Sequence, residues 1–364
     1  MPSEVKTSQP GNVEPGTVME HSSAWKVSDF HSQDDYTYTF TDGDLVELDG
    51  VIETVLSGGK DLKDVTKQDA PLPSLGPKLV AIQEEVTWGR GFALLRGLPV
   101  WRYTRRESLA AYWVLGLYWG KAGSNNQHGH LIGHIKDVRA DPSLPTTRLY
   151  ATHEAQPWHN DVADLVSLLC LHNAKEGGHS SWASSVSVHN EIVRRRPDLA
   201  RVLADPVWFY DRKGEVPPGK APYFLIPVFN YHAGHLFVNF SSNYYHASQR
   251  HPEVPRLTAP QLEAIALFEG LAASEELAMH YILQPGDIQL LNNHTCLHHR
   301  TAFQDWADPA RKRHLLRLWL SPAHERELPP VYADLYGGSL DVGNRGAIRV
   351  EGTREHIPEH AEDP

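Results

Sequence analysis

Trp158-His159-Asn160-Asp161-Val162 leads almost directly into Asp164-Leu165-Val166-Ser167-Leu168-Leu169-Cys170-Leu171, and the reading of this stretch decides the fold. A Leu- and Val-dense run of this length suits a central β-strand covered on both faces. Just before it, a histidine and an aspartate stand two residues apart. Residues i and i+2 of a strand share a face, so both side chains can reach one point. Together they offer two ligands of a metal site. The plainer alternative is a hydrogen-bonded core histidine followed by a turn aspartate, and spacing alone weighs the two evenly.

Outward from that strand the chain alternates short apolar runs with turn signals. Phe92-Ala93-Leu94-Leu95-Arg96-Gly97 reads as a buried strand ending in a turn, and Met279 to Leu283, Ile288 to Leu291 and Leu315 to Leu320 read as further strands. Tyr223 to Val228 and His235 to Phe240 form a hairpin-like pair around Asn230–Gly234. Helical composition marks Glu107 to Gly116, Val188 to Leu203 in two pieces parted at Pro197, and Ala259 to Ala273 entered through Thr258-Ala259-Pro260. Many short strands with a few inserted helices predict a mainly β fold with peripheral helices, of jelly-roll type. Residues 23–335 are expected to form one domain. The Ser-, Pro-, Glu- and Gly-rich residues 1–22 are expected to be a disordered tail, and 336–364 an extended C-terminal tail.

The bulk numbers narrow the function. Thirty-four basic against 45 acidic residues give a net charge of −11, which argues against a nucleic-acid or anionic-membrane partner. The two cysteines, Cys170 and Cys296, imply no disulfide framework. No stretch reaches the length of a membrane span, and Met1 to Glu20 lacks the apolar core of a secretory signal, so a cytoplasmic protein is expected. Histidine is abundant at 22 residues, which favours a metal site but also multiplies chance spacings.

Those chance spacings are visible. His189-Asn190-Glu191 falls in a helical run, where i and i+2 point apart, His251-Pro252-Glu253 in a Pro-broken turn, and His360-Ala361-Glu362 in the tail. Only His159 and Asp161 adjoin an apolar β run. A second histidine comes from Asn293-His294-Thr295-Cys296-Leu297-His298-His299-Arg300, which offers three. Two histidines and one carboxylate with open positions form the facial triad of non-heme Fe(II), although imidazole suits zinc equally. Further on, Arg313-His314-Leu315-Leu316-Arg317-Leu318-Trp319-Leu320 sets Arg313, Leu315 and Arg317 on one strand face. A buried arginine needs an anion, and its planar fork matches a carboxylate.

With these residues in place the chain resembles the Fe(II)/2-oxoglutarate-dependent dioxygenases of the taurine dioxygenase (TauD/TfdA) type. The resemblance runs from about Gly91 to Leu320 and rests on the Trp-His-x-Asp-Val run, Gly177-Gly178-His179-Ser180, Gln284-Pro285-Gly286-Asp287, Asn293-x4-His298-x-Arg300 and Arg313 to Arg317. It is similar in particular to a fungal and bacterial branch that contains many tailoring enzymes of secondary metabolism. The resemblance implies a double-stranded β-helix, with His159, Asp161 and His298 as iron ligands. It implies that Arg313 and Ser180 hold 2-oxoglutarate, and that Arg317 meets either 2-oxoglutarate or an anionic group of the substrate. Departures are His299, where relatives often carry Gly or Asp, and His179, where Asp is common.

The implied reaction uses Fe(II), 2-oxoglutarate and O2 to oxidise an unactivated C–H bond by hydroxylation, desaturation or ring closure. The implied substrate is a small carboxylate- or sulfonate-bearing metabolite, amino-acid-like in this reading, with taurine catabolism as the alternative. Family members often self-associate. Residues 123–134, polar and rich in Gly and His and ending at His134, are expected as a lid or substrate loop or else a plain surface loop, and Tyr150, Trp158 and Tyr244 as pocket walls. A zinc hydrolase, or a silent 2-oxoglutarate-binding module, would carry the same ligand residues.

Overall fold

The computed structural model describes residues 16–361. Eleven strands build its two main sheets: β1 (Thr37–Thr39), β2 (Phe92–Arg96), β3 (Lys121–Gly123), β4 (Ile132–Ile135), β5 (Gln156–His159), β6 (Leu165–His172), β7 (Ser180–Ser184), β8 (Ala278–Tyr281), β9 (Ile288–Asn292), β10 (Cys296–Arg300) and β11 (His314–Ser321). The larger sheet runs β1-β2-β9-β6-β11-β3, with β4 also paired to β11; the smaller runs β8-β7-β10-β5. Only β1 and β2 are parallel; the other ladders of the two sheets are antiparallel. The Leu- and Val-dense β6 lies between β9 and β11, so its backbone is paired on both sides and both its faces are covered.

Alternation along each strand sorts the side chains. Leu165 and Leu169 of β6, Ile288 and Leu290 of β9, and Leu316, Leu318 and Leu320 of β11 pack outward against α1 (Asp42–Ser57), α2 (Leu75–Trp88) and α3 (Arg105–Gly116). Val166, Cys170, Leu291, Leu315 and Trp319 turn inward and meet Trp182, Met279 and Cys296 of the smaller sheet. Behind that sheet, Trp158, Ala183 and Leu297 pack against α4 (Ser185–Arg195), α5 (Pro197–Ala204), α6 (Ser242–Ser248) and α7 (Ala259–Ala272). The fold is therefore mostly β with helices on the outer faces. A Thr104/Glu107 capping box starts α3, a Thr258/Gln261 box starts α7, and Pro197 opens α5 where its missing N–H costs nothing.

Several expectations need correction. The hairpin lies at Phe229–His232 and His235–Val238, one step later than its first arm was read, because Ala233-Gly234 supplies the two left-handed residues (φ 46° and 79°) of its turn. The expected tail 1–22 lies outside the described residues up to position 15. From residue 16 it is docked: Met19 exchanges two backbone bonds of 2.8 and 2.9 Å with the amide of Asn190. The C-terminal segment is extended but bound to the core, with Arg345 fully buried on Asp164 at 2.9 Å and His356 bonded to the backbone of Gly129 and Leu131. Residues 124–131 form neither lid nor surface loop: Ser124, Asn125, Asn126 and His130 are buried, and Asn125 accepts a 2.8 Å hydrogen bond from Arg317 Nε. Helices α1 and α2 went unread in the sequence. No helix among the described residues is long and apolar enough to cross a membrane.

Candidate active site

Antiparallel pairing sets His298 of β10 directly opposite His159 of β5. Both rings turn to the space between the sheets, while their chain neighbours Trp158 and Leu297 point outward. Asp161 follows two residues after His159 in a pinned turn. Its N–H bonds Asn293 Oδ1 at 3.0 Å, and the Asn160 amide donates to the carbonyls of Asn293 and Cys296 at 2.7 and 2.8 Å. One donor atom from each of His159, Asp161 and His298 lies within 4.8 Å of the other two, the only such group of metal-ligating side chains among the described residues.

The protonation pattern suits a cation. Nδ1 of His159 lies 2.7 Å from the Pro157 carbonyl, which only accepts, so Nδ1 carries the proton and Nε2 offers its lone pair. Burial lowers the His159 imidazole, and burial with the adjacent His159 pushes His298 down to about 3, so both rings are neutral. Burial opposes ionisation of Asp161, but Arg317, the two histidines and the Trp319 indole together hold its carboxyl well below the usual range. Asp161 Oδ2 accepts from Trp319 Nε1 at 2.8 Å and from Arg317 Nη1 at 3.1 Å. Two neutral imidazoles and one oriented carboxylate form a donor set that fits Fe(II).

Trp319 is the residue that the sequence reading missed. Continuing the alternation Arg313, Leu315, Arg317 by one step would have found it. Trp319→Phe keeps an aromatic ring, though a smaller one, and removes the N–H, and is expected to weaken Fe(II) binding about tenfold, checked by anaerobic metal titration.

Between β11 and β10 lies a small cavity lined by Tyr150, Ser180, Gln289, His298, Arg313 and Arg317, among others. The two arginines share this face as read, yet differ in kind. Arg317 is engaged by Asp161 and Asn125. Arg313 is 4% exposed, has no carboxylate in ion-pair range, and leaves Nη1 without a partner. Burial lowers its guanidinium to about 10. An unpaired buried cation is costly, and this one is poised for an anion from outside the chain. Gly178, at φ +70°, makes room for it: a Cβ there would fall 2.8 Å from Arg313 Nε. Gly178→Ala is therefore expected to raise the KM for 2-oxoglutarate severalfold with little change in kcat, measured by succinate release.

A second cavity adjoins the metal ligands, lined by Tyr150, His159, Asp161, Tyr210, Lys213 and Tyr244 among others. Tyr150 borders both cavities, and Tyr244 stacks on Tyr210 with ring centroids 4.6 Å apart. Half-buried Arg148 also reaches this cavity, held by Glu215. Two residues expected in the pocket wall are elsewhere. Trp158 points to the helical side of the smaller sheet and stacks on His299, because it alternates with His159. His134 alternates with Ile135, which lines the first cavity; its own ring bonds His314 at 2.7 Å and the Pro358 carbonyl at 3.0 Å.

The chain is similar to several known proteins. The model of the taurine catabolism dioxygenase TauD, TfdA family matches residues 59–319. FR-33289 synthase of Streptomyces rubellomurinus is 32% identical over 314 residues, covering 84% of this chain and 91% of the relative. Taurine hydroxylase-like protein SAT17 of Stachybotrys chartarum is 28% identical, covering 81% and 77%. Among solved structures, asparagine oxygenase in complex with Fe(II), 2S,3S-3-hydroxyasparagine and succinate superposes with a TM-score of 0.60 at 17% identity, covering 78% of this chain and 93% of that one. Non-heme iron oxygenase OrfP in complex with Fe and alpha-ketoglutaric acid gives 0.57 at 16%, with the same coverages.

Proposed function

Because this chain belongs to the TauD, TfdA family and is a dioxygenase that uses Fe(II), 2-oxoglutarate and O2, we propose that His159, Asp161 and His298 hold the iron and that Arg313 holds the distal carboxylate of 2-oxoglutarate. The observation that carries this reading is the unpaired, buried Arg313 guanidinium in a cavity that His298 also lines. Ser180 lines the same cavity and supplies a hydroxyl beside the arginine. The two facing sheets, with residues 23–335 as their domain, are read as a double-stranded β-helix.

Bound together, iron and 2-oxoglutarate would activate O2, the oxidant, to attack an unactivated C–H bond, with 2-oxoglutarate giving up CO2 and taking one oxygen atom to become succinate. The chain supplies position. Trp319 and Arg317 fix the Asp161 carboxylate through Oδ2, and the Pro157 carbonyl fixes the His159 tautomer. Tyr150, Tyr210 and Tyr244 wall the second cavity, which takes the substrate and limits water beside the metal ligands. The substrate is a small anionic, amino-acid-like metabolite of secondary metabolism. Support comes from relatives named as a synthase and a hydroxylase-like protein, and from an amino-acid product in a protein of the same fold.

Anaerobic addition of Fe(II) and then 2-oxoglutarate is expected to give a weak visible charge-transfer band from the bidentate chelate, lost in His159→Ala and weakened in Arg313→Ala. A folded, metal-loaded protein without the band would favour a zinc hydrolase. Binding of 2-oxoglutarate without succinate release in an amino-acid screen would favour a silent binding module, and sulfite release from taurine would favour sulfonate catabolism.

A further inference from the structure

We infer that Lys213 is the anchor for the anionic group of the substrate, clamping it in the second cavity, which His159 and Asp161 also line; this rests on the oxygenase reading above. Arg148 and Lys213 line the second cavity and Arg317 stands beside Asp161; of these three cations, two are already engaged. Arg317 gives Nη1 to Asp161 and Nε to Asn125. Arg148 is ion-paired with Glu215. Lys213 alone lines the cavity without a carboxylate partner; its ammonium lies 5.6 Å from the Tyr244 ring centroid, inside the cavity wall.

The acids that could have neutralised it are taken. Asp211, two residues before, accepts from Arg250 at 2.9 Å and lies 2.8 Å from His251. Its other oxygen receives the Lys213 backbone N–H at 2.6 Å, not the ammonium. Glu215, two residues after, holds Arg148. The loop itself is built for this placement. Lys213 has φ 51° and Gly214 φ 86°, two successive left-handed residues that no helix or strand requires. A non-glycine residue in that region is strained and persists where surrounding structure fixes it, as at ligand clamps. Here the fixing contact is the Asp211 bond, and its effect is to turn the lysine toward the tyrosine wall.

An ammonium on a flexible stem is a point charge that accepts either a carboxylate or a tetrahedral oxyanion. The ligand chemistry assigned is therefore a small molecule with one such group at one end and its reactive C–H bond toward His159 and Asp161.

The test uses full-length protein loaded with Mn(II) and N-oxalylglycine, so that the metal and the Arg313 site are filled. Acetate, methanesulfonate and methylphosphonate are titrated by ligand-observed NMR, with acetamide as the neutral control. Wild type is expected to bind at least one anion and not acetamide; Lys213→Met should bind that anion about tenfold more weakly, the loss of one charge-assisted contact, while Lys213→Arg stays within about threefold. The preferred anion separates carboxylate from oxyanion substrates. Lys213→Gln replaces the Met variant if the latter does not fold. Anion affinity unchanged in the Met or Gln variant, or no anion binding by wild type, would overturn the assignment while leaving the oxygenase reading intact. Failure of N-oxalylglycine to bind would remove that reading, and this assignment with it.

Discussion

His298→Ala is expected to abolish succinate formation from 2-oxoglutarate while leaving the fold in place. His298 occupies one of three donor positions within 4.8 Å, and no other described histidine can replace it. His299 points to the opposite face and stacks on Trp158, and His294 is bound to Asp164 at 2.9 Å. The loss is therefore a loss of metal, not of orientation. A direct check is thermal stability with and without Fe(II) under anaerobic conditions. Wild type should gain a metal-dependent rise in Tm, because a ligand that binds only the folded state stabilises it. The variant should melt like metal-free wild type and show no rise. A variant that keeps both the rise and turnover would show that the iron is held elsewhere.

Arg313→Met is expected to raise the KM for 2-oxoglutarate by roughly 10²-fold, since a charge-assisted hydrogen-bonded pair is worth about 1.5–3 kcal/mol and each 1.4 kcal/mol is tenfold. It should also make the protein no less stable in the absence of 2-oxoglutarate. That second outcome is specific. A buried arginine serving a structural ion pair destabilises when removed, because its partner is stranded. Arg313 has no such partner, and its burial works against its own charge. An unchanged KM, or a drop in Tm of several degrees in ligand-free protein, would move the co-substrate's carboxylate to another cation. Arg300 would be next, being buried in the same cavity with two unpartnered nitrogens.

Much of the site was legible because its parts lie on strands, where a period of two is written into the chain. His159 and Asp161 two apart beside the apolar β6, and Arg313, Leu315 and Arg317 at alternate positions running into β11, were legible from the rule that alternate residues share a face, although Asp161 itself stands in the turn after β5. The same rule misled where a residue was judged by its type. Trp158 and His134 look like pocket residues, yet each alternates with one that faces the cavity. Asn125 and Asn293, which hold Arg317 and Asp161, carry no periodic pattern and come from segments 36 and 132 residues away from Asp161 (161 − 125 and 293 − 161). Residues 124–131 were misjudged for a related reason: a polar, Gly-rich composition reads as surface unless its partners are known, and here those partners include Arg317 and the C-terminal segment.

The sequence by itself pointed to the mainly β character, to His159 and Asp161 and to the two arginines of one strand face, because these follow from local periodicity and residue chemistry; the family and the choice of His298 among three histidines came from the resemblance of its motifs. The tertiary structure decided which cation is already paired. Arg317 and Arg313 are the same residue type four positions apart on the same face, and nothing local tells them apart. The difference arises because Asp161 and Asn125 reach one guanidinium through folding and no carboxylate comes within ion-pair distance of the other, Asp305 bonding only its backbone N–H. Charge pairing is a property of distance in space, and only the folded chain fixes that distance.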